Sequence, residues 1–285
     1  MQWDRAKNFM LIFFLLANVM LAALIHYDSN SYTLTREMEN AIFAVFSQND
    51  IEMNYPIPRQ FSPKRPLLVA GYDYDIERLL STFFPPYAIE EIEHTEGANR
   101  EVFTWEDLRL VISSGYIVFD SGLTALGVPD KSAAITLTQS FIREHYPDFR
   151  LDIYSTREVR RGLRIFYRQE YQGHLIHTNF VEFLVTGDGD DLIIEQVDIQ
   201  YGRPLNFTYA PRELIGPDEA LLTFVQIIRQ QTDAPILITY MDIAYIQTSV
   251  GFLSETYAPT IYAEPVYRIF IDGWVEPFRI NAFRN

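Results

Sequence analysis

Cysteine is absent from the 285 residues. That excludes a disulfide framework, a thiol nucleophile and any cysteine-based metal site. An excess of base is absent too: 38 acids face 23 bases, for a net charge of −15 at pH 7. A nucleic-acid surface needs a basic face, and adhesion to anionic lipid heads needs clustered cations, so this balance argues against both. Catalytic signatures are missing as well: there is no GxSxG, no HExxH, no Ser-x-x-Lys and no phosphate-cradling glycine loop. Between Lys7 and Arg36 there is no Lys or Arg at all.

That base-free stretch holds "NFMLIFFLLANVMLAALIH", from Asn8 to His26, in which Phe9 to Ile25 is broken only by Asn18. At about 1.5 Å per residue its 17 residues reach about 26 Å as a helix, slightly less than a hydrocarbon core of about 30 Å. Trp3 and Tyr27 lie just beyond the two ends, where amphipathic rings meet headgroups. Arg5 and Lys7 precede the run, so the positive-inside rule places residues 1–8 in the cytoplasm and the rest outside the cell. A cleavage site needs small residues at the third and first positions before the cut. The runs "LAA" and "AAL" each fail at one of them, and Ser29-Asn30-Ser31 lies past the apolar run. The expectation is a retained single-pass anchor over residues 9–26, never cleaved.

The remainder reads as folded. Residues 1–28 hold two acids and two bases, so the external part carries the whole net charge of −15. With 18 Tyr, 21 Phe and 3 Trp, the chain is too aromatic for a disordered acidic tail. Residues 27–64 are expected to form a juxtamembrane helix, "TLTREMENAIFAVFSQ", and a proline-rich linker, "MNYPIPRQFSPKRP". A first external α+β domain is expected over 65–128, with "LLVAGY" as a strand, "DIERLLSTFF" as a helix and "REVFTWEDLRLVISSGYIVFDSG" as two or three strands. A second is expected over 129–285, with a domain break near "GLTALGVP". There "DKSAAITLTQSFIREHY", capped by Asp130, precedes the strands "RLDIYS", "GLRIFYRQEY", "LIHTNFVEFLVT" and "LIIEQVDIQY". The helix "GPDEALLTFVQIIRQQ" then precedes "ILITYMDIAYIQ", "TIYAEPVYRIFI" and "WVEPFRINAF". A helix followed by an antiparallel meander, done twice, predicts an α+β fold of two related modules after the transmembrane helix.

Several of these segments resemble one family. "MQWDRAKNFMLIFFLLANVML" is similar to the start of YycI (WalI) proteins: Met, a residue, Trp, a short basic stretch and an anchor. "FYRQEYQGHLI", Phe166 to Ile176, resembles that family's hairpin of aromatic-x-Gln-x-Tyr-x-Gly-x-Pro-Ile, with Leu175 where Pro is usual. "EPVYRI" and "RINAF" resemble its closing Pro-Val-Trp-Arg-Ile and Val-Asn-Ala, with Tyr267 in the place of Trp. The order and spacing hold along the whole chain. The resemblance implies a non-enzymatic accessory protein of the cell membrane that modulates a WalK (YycG) sensor kinase governing cell-wall metabolism. It implies a YycH-like sister protein as a second partner, transmembrane contacts as part of the regulation, and no cofactor. Two other classes fit an anchored external domain: a PepSY-like binder of an exported protease, and a wall-polymer hydrolase using paired carboxylates.

Leu11, Phe14, Asn18, Ala22 and Ile25 share one helical face at spacings of three and four. Asn18 is either a lone tolerated amide or a donor to a partner helix, a contact worth on average about 0.6 kcal/mol. Ala22, one turn on, allows close approach, so this face is the predicted partner-binding site. His174 and His177 form an HxxH, but on a strand residues three apart face opposite ways and cannot share a metal. "GDGDD" is read as a hairpin turn, since it lacks the Gly and Glu that a calcium loop needs further on. "EIEHTE", Glu91 to Glu96, is read as a charged loop around His94.

Overall fold

The computed structural model describes residues 7, 10, 11, 13–21, 32–71, 75–97, 100–113, 116–123, 127–147, 149–189, 191–208, 210–247, 260–274 and 276–284. Residues 13–21 are helical. Thr35 then caps helix α1 (Arg36–Gln48), its hydroxyl accepting from the Met38 amide at 3.3 Å. Strands β1 (Ile51–Met53) and β2 (Leu67–Gly71) follow. Asp75 caps α2 (Ile76–Phe83), which Pro85 and Pro86 turn into a short 3-10 helix over Pro86–Glu91. Next come β3 (Glu93–Gly97), β4 (Arg100–Trp105), β5 (Leu108–Ser113) and β6 (Tyr116–Asp120). Helix α3 (Lys131–His145) starts where the Asp130 carboxylate accepts from the amides of Ser132 and Ala133, and Arg143 and His145 suit its C-terminal dipole. After it run β7 (Leu151–Val159), β8 (Gly162–Tyr171), β9 (His174–Thr186), β10 (Ile193–Gln200) and β11 (Gly202–Phe207). Pro217 opens α4 (Pro217–Ile228), with Asp218 and Glu219 in its first turn. The chain closes with β12 (Ile236–Gln247), β13 (Thr260–Ile271) and β14 (Phe278–Asn281). The fold is mixed α+β, dominated by antiparallel sheet with a few helices.

The residues fall into two compact units, both discontinuous. The first takes Met1–Lys64, Ala210–Ile243 and Val266–Asn285; the second takes Arg65–Tyr209 and Ala244–Pro265. This cuts the chain differently from the expected domains at 65–128 and 129–285. The reason is strand pairing: β6 pairs with β10 across 116–120 and 196–200, so no division falls between Gly122 and Asp130.

In the first unit β1 pairs with β12 in parallel, and β13 pairs with β14 antiparallel. Helices α1 and α4 supply Ile42, Phe46, Leu221, Phe224 and Ile228 to a core that also holds Ile238, Met241, Tyr267 and Ile269. The expected proline-rich linker is pinned to this unit. The Leu34 amide donates to Arg59 O at 2.9 Å, the Phe61 amide to Tyr32 O at 3.1 Å, and Ile57 is buried in the core. Proline removes amide donors, but the residues between the prolines keep theirs and use them.

In the second unit β3, β4, β5, β6, β10 and β9 follow one another as antiparallel neighbours, and β8 joins β9 to β7. Odd-numbered side chains of β8, β9 and β10 (Ile165, Tyr167, Val181, Phe183, Val197, Ile199) face a core with α2 and α3 residues such as Phe83 and Ile142. The Tyr167 hydroxyl lies 2.7 Å from that of Thr138, which lets a polar residue sit fully buried within α3. The segment 91–96 is not the expected loop. Glu93–Gly97 is an edge strand, with the His94 ring stacked on Phe103 at 4.4 Å. Pairing with β4 imposes the strand, although every one of its residues is exposed.

Candidate functional site

The N-terminal apolar residues contact little of the protein. Met10, Leu11, Phe13, Phe14, Leu15, Leu16, Val19, Met20 and Leu21 are each between 57% and 77% exposed. Of the predicted partner-binding face, Leu11, Phe14 and Asn18 are helical and exposed; Ala22 and Ile25 lie outside the described residues. The Asn18 side-chain amide donates to the Phe14 carbonyl one turn back, at 2.7 Å. One of its N–H groups is therefore satisfied within the helix, and among the described residues its carbonyl oxygen and second N–H have no partner. Among the described residues no helix is both long and apolar enough to cross a membrane. Phe9, Ile12 and residues 22–26 of the expected span at 9–26 lie outside them.

A second feature is a charged cluster on the other face of the second unit's sheet, carried by even-numbered residues. Glu182 on β9 stands directly opposite Asp198 on β10. The Arg164 guanidinium on β8 pairs with Glu182, and Gln196 donates to both Asp198 carboxylate oxygens at 3.0 and 3.2 Å. Burial holds the Asp198 carboxyl above the usual carboxylate range; Glu182 adds to this, while Gln196, Arg164 and Tyr116 oppose it. The Tyr116 phenol beside them is pushed up to about 12, first by burial and then by the charges of Asp198 and Glu182. On the same face the Arg168 guanidinium lies over the Phe180 ring at 4.6 Å. Sequence reading missed this cluster. Its one signal was Arg164, Arg168 and Glu170 at even positions of β8, and only the register of three strands brings Arg164, Glu182 and Asp198 together.

The HxxH pair sits on β9. His174 opens the strand, its ring 5.4 Å from that of Phe207 and 5.5 Å from that of Tyr245. His177 is buried at the start of a bulge, where Ile176 pairs with Gln169 and Phe180 with Arg168 while residues 177–179 have no opposite number. Strict alternation thus ends at Ile176. Inside the bulge Asn179 is fully buried. Its amide donates to Gln169 Oε1 and to Gly202 O, both at 2.6 Å, and its Oδ1 accepts from the Gly202 amide at 3.1 Å. A buried network this well satisfied fixes the bulge in place. Among the described residues no three His, Cys, Asp or Glu side chains come together as a metal set. Of "GDGDD", Gly187, Asp188, Gly189 and Asp191 are described and lie between β9 and β10. Gly187 (φ 107°) is required there, since a Cβ would lie 2.1 Å from Asp191 O.

No family model matches this chain, and no curated protein matches it. Among solved structures it is similar to an uncharacterized protein from Eubacterium rectale ATCC 33656, with a TM-score of 0.40, 13% identity, and coverage of 80% of this chain and 85% of that one. A likeness at that level carries no argument about function.

Proposed function

We propose that this chain is a non-enzymatic regulator held in the cell membrane by its N-terminal helix, and that it modulates a WalK-type sensor kinase together with a YycH-like partner. The observation that carries the reading is the set of exposed apolar side chains from Met10 to Leu21, on a helix with one polar residue, Asn18. Water penalises such a surface by about 25 cal/mol per Å², whereas lipid does not. With Arg5 and Lys7 before it, the helix is oriented with residues 1–8 in the cytoplasm and the two folded units outside.

The resemblance of the sequence segments to YycI proteins supports the choice of partner. The "FYRQEYQGHLI" segment makes the β8–β9 hairpin, with Gln172 and Gly173 at positive φ in the turn and Gln169 in the buried network. "EPVYRI" lies on β13, where Tyr267 and Arg268 are fully buried, and the Arg268 Nε donates to Asp242 at 2.8 Å. We also take α3 with β7–β10, and α4 with β12–β14, as two related copies of one helix-then-meander plan.

A helix in lipid gains no hydrophobic drive from pairing, so specificity rests on packing and polar contacts, each weak. An external region docked to the same complex raises the helix's effective concentration beside its partner. Together they bias a kinase whose states differ by a few kcal/mol. The test replaces residues 9–26 with an unrelated anchor and reads kinase output and co-purified proteins at equal abundance. Loss of control with the sister protein still bound is the expected result. Full control by the swapped chain would reduce the helix to a tether, and recovery of an exported protease in place of the kinase would favour the inhibitor reading.

A further inference from the structure

The second unit carries an open strand edge at β7. Among the described residues β7 pairs with β8 alone. Asp152, Ile153, Tyr154, Ser155, Arg157 and Glu158 are exposed, and Leu151, Thr156 and Val159 are half-buried. The large apolar side chains among them, Ile153 and Tyr154, are 40% and 41% exposed. The ladder to β8 shifts register between Ile153 and Ser155, and from Ser155 to Val159 it is regular. Val159 pairs with Gly162 across the two-residue turn of Arg160 and Arg161, so that pair exchanges both of its main-chain hydrogen bonds. Directions alternate along an antiparallel ladder, so Ser155 and Arg157 also turn their main-chain groups toward β8. The N–H and C=O groups of Thr156 and Glu158 face away from it.

Cations gather along this edge. Residues 150–161 hold four bases and two acids, in a chain whose net charge is −15. Arg150, Arg157, Arg160 and Arg161 are all exposed, and among the described residues none of them forms an ion pair. Arg157 stands directly opposite Arg164, whose guanidinium is taken by Glu182. Like charges directly opposite each other on a ladder are destabilising, and the protein neutralises one of the two.

We infer that the β7 edge docks an extended segment of a partner polypeptide in which Asp or Glu alternates with apolar residues. Outward main-chain groups spaced two residues apart are matched by an added strand, and not by a helix or a lipid surface. The alternation follows from the pleat. Arg157 lies on the outer face of the sheet with Arg164, whereas Thr156 and Ile153 lie on the core face, opposite Ile165 and Tyr167. An added strand therefore sets every second side chain beside Arg157 and the intervening ones beside Thr156 and Ile153. The acids belong on the outer face, because Glu158 occupies the other. Asp152 shares the outer face but lies beyond the register shift, opposite Arg168. Edge strands are commonly protected by charges, proline or bulges. Strand β7 has no proline and no lysine, its irregularity leaves Ser155 to Val159 regular, and arginines that repel a basic strand attract an acidic one. A second copy of this chain is a poorer occupant, since each copy carries a net charge of −15. The edge shares no residue with the N-terminal helix, so it binds its partner whether or not that helix regulates a kinase.

The test uses the full chain in nanodiscs of neutral lipid and a capped six-residue peptide alternating Val and Glu, with binding followed by NMR or calorimetry. Saturable binding with a Kd below about 1 mM is expected, weakening as salt is raised. A peptide alternating Val and Lys should bind at least tenfold more weakly, and Arg157→Glu should reverse that preference. Thr156→Pro removes an outward N–H, which an edge strand tolerates, and should weaken binding of the Val–Glu peptide at least tenfold. N-methylation of that peptide at one set of alternate amides should abolish binding and at the other set leave it, because one edge of an added strand meets β7; this control leaves the protein unaltered. No saturable binding at millimolar peptide, equal binding of the two N-methylated forms, or equal binding of the Val–Glu and Val–Lys peptides would overturn the inference. So would capture by phosphatidylglycerol vesicles through Arg157 without peptide binding, which assigns the cations to lipid. Self-association that Thr156→Pro abolishes and the peptide does not compete with would also overturn it, by assigning the edge to a second copy.

Discussion

Two apolar helical stretches of this chain meet opposite fates. In α4 the apolar side chains Ala220, Leu221, Phe224, Val225 and Ile228 form a buried stripe, while Leu222 on another side of the helix is exposed. In residues 10, 11 and 13–21 they run round the helix, and all are exposed. A stripe needs one surface to cover it, which the sheet of the first unit supplies. A helix apolar on every side needs an environment that surrounds it, which for an isolated helix is lipid. The pattern of apolar residues, more than their number, decides which of the two a segment requires.

Truncating a large ring in each stretch breaks or sustains that contrast with the largest effect. Phe224→Ala should cost about 3–5 kcal/mol of unfolding free energy in the first unit, the usual result of emptying a buried aromatic site. Phe14→Ala should leave denaturant unfolding of the two folded units unchanged. Equal losses in the two variants would mean that Phe14 packs against folded protein.

The helices that face water also depend on capping. Asp130→Ala removes the acceptor for two amides at the start of α3 and should cost about 1 kcal/mol, read as a lower denaturation midpoint.

The mirror image of an apolar helix exposed to solvent is a carboxylate taken out of water, and Asp198 is that case. Its pKa is raised in the fold, chiefly by burial. The native state therefore holds the proton more tightly than the unfolded chain does. The stability tied to that proton is fully present below the unfolded pKa, near the ordinary carboxylate value of about 4, and is lost as pH rises through the folded one. Asp198→Asn should remove this loss. It should make the second unit more stable at neutral pH than the parent chain and flatten the acidic part of the stability profile. A variant that is less stable at neutral pH would show that the carboxylate's contacts with Gln196 and Tyr116 outweigh its desolvation.

The smallest expected effect is at Asn18. Its amide already bonds to the Phe14 carbonyl, so Asn18→Leu should alter neither membrane association nor external stability. Under the proposed function it should weaken kinase regulation alone, by no more than the about 2 kcal/mol an interhelical polar contact supplies. A change in abundance or in membrane association would contradict this assignment.

Much of the fold was visible in local pattern. The strands over 162–171, 236–247 and 260–271 match their sequence segments residue for residue, because β-branched and aromatic residues fill them. The cap at Asp130 was equally readable. What failed was whatever depends on a distant partner. Strand β11 carries Arg203, Pro204 and Asn206 and shows no alternation; it is a strand because β2 pairs with it, with a register shift at the proline. Strand β3 is all exposed polar residues and Gly97, and takes its conformation from β4. The two units interleave along the chain, which no local composition shift reports. The same holds for the candidate sites. The apolar helix announces itself in hydropathy, whereas Arg164, Glu182 and Asp198 meet only through register.

The most direct measurement is the distribution of the full chain in cell membranes after high-salt and alkaline carbonate washes, combined with protease added from outside. The account predicts that the chain stays in the membrane fraction through both washes, and that external protease digests the region beyond about residue 32 while leaving an N-terminal fragment in the bilayer. Release of the intact chain by carbonate, or a mature form beginning near Tyr32 in the culture fluid, would contradict it.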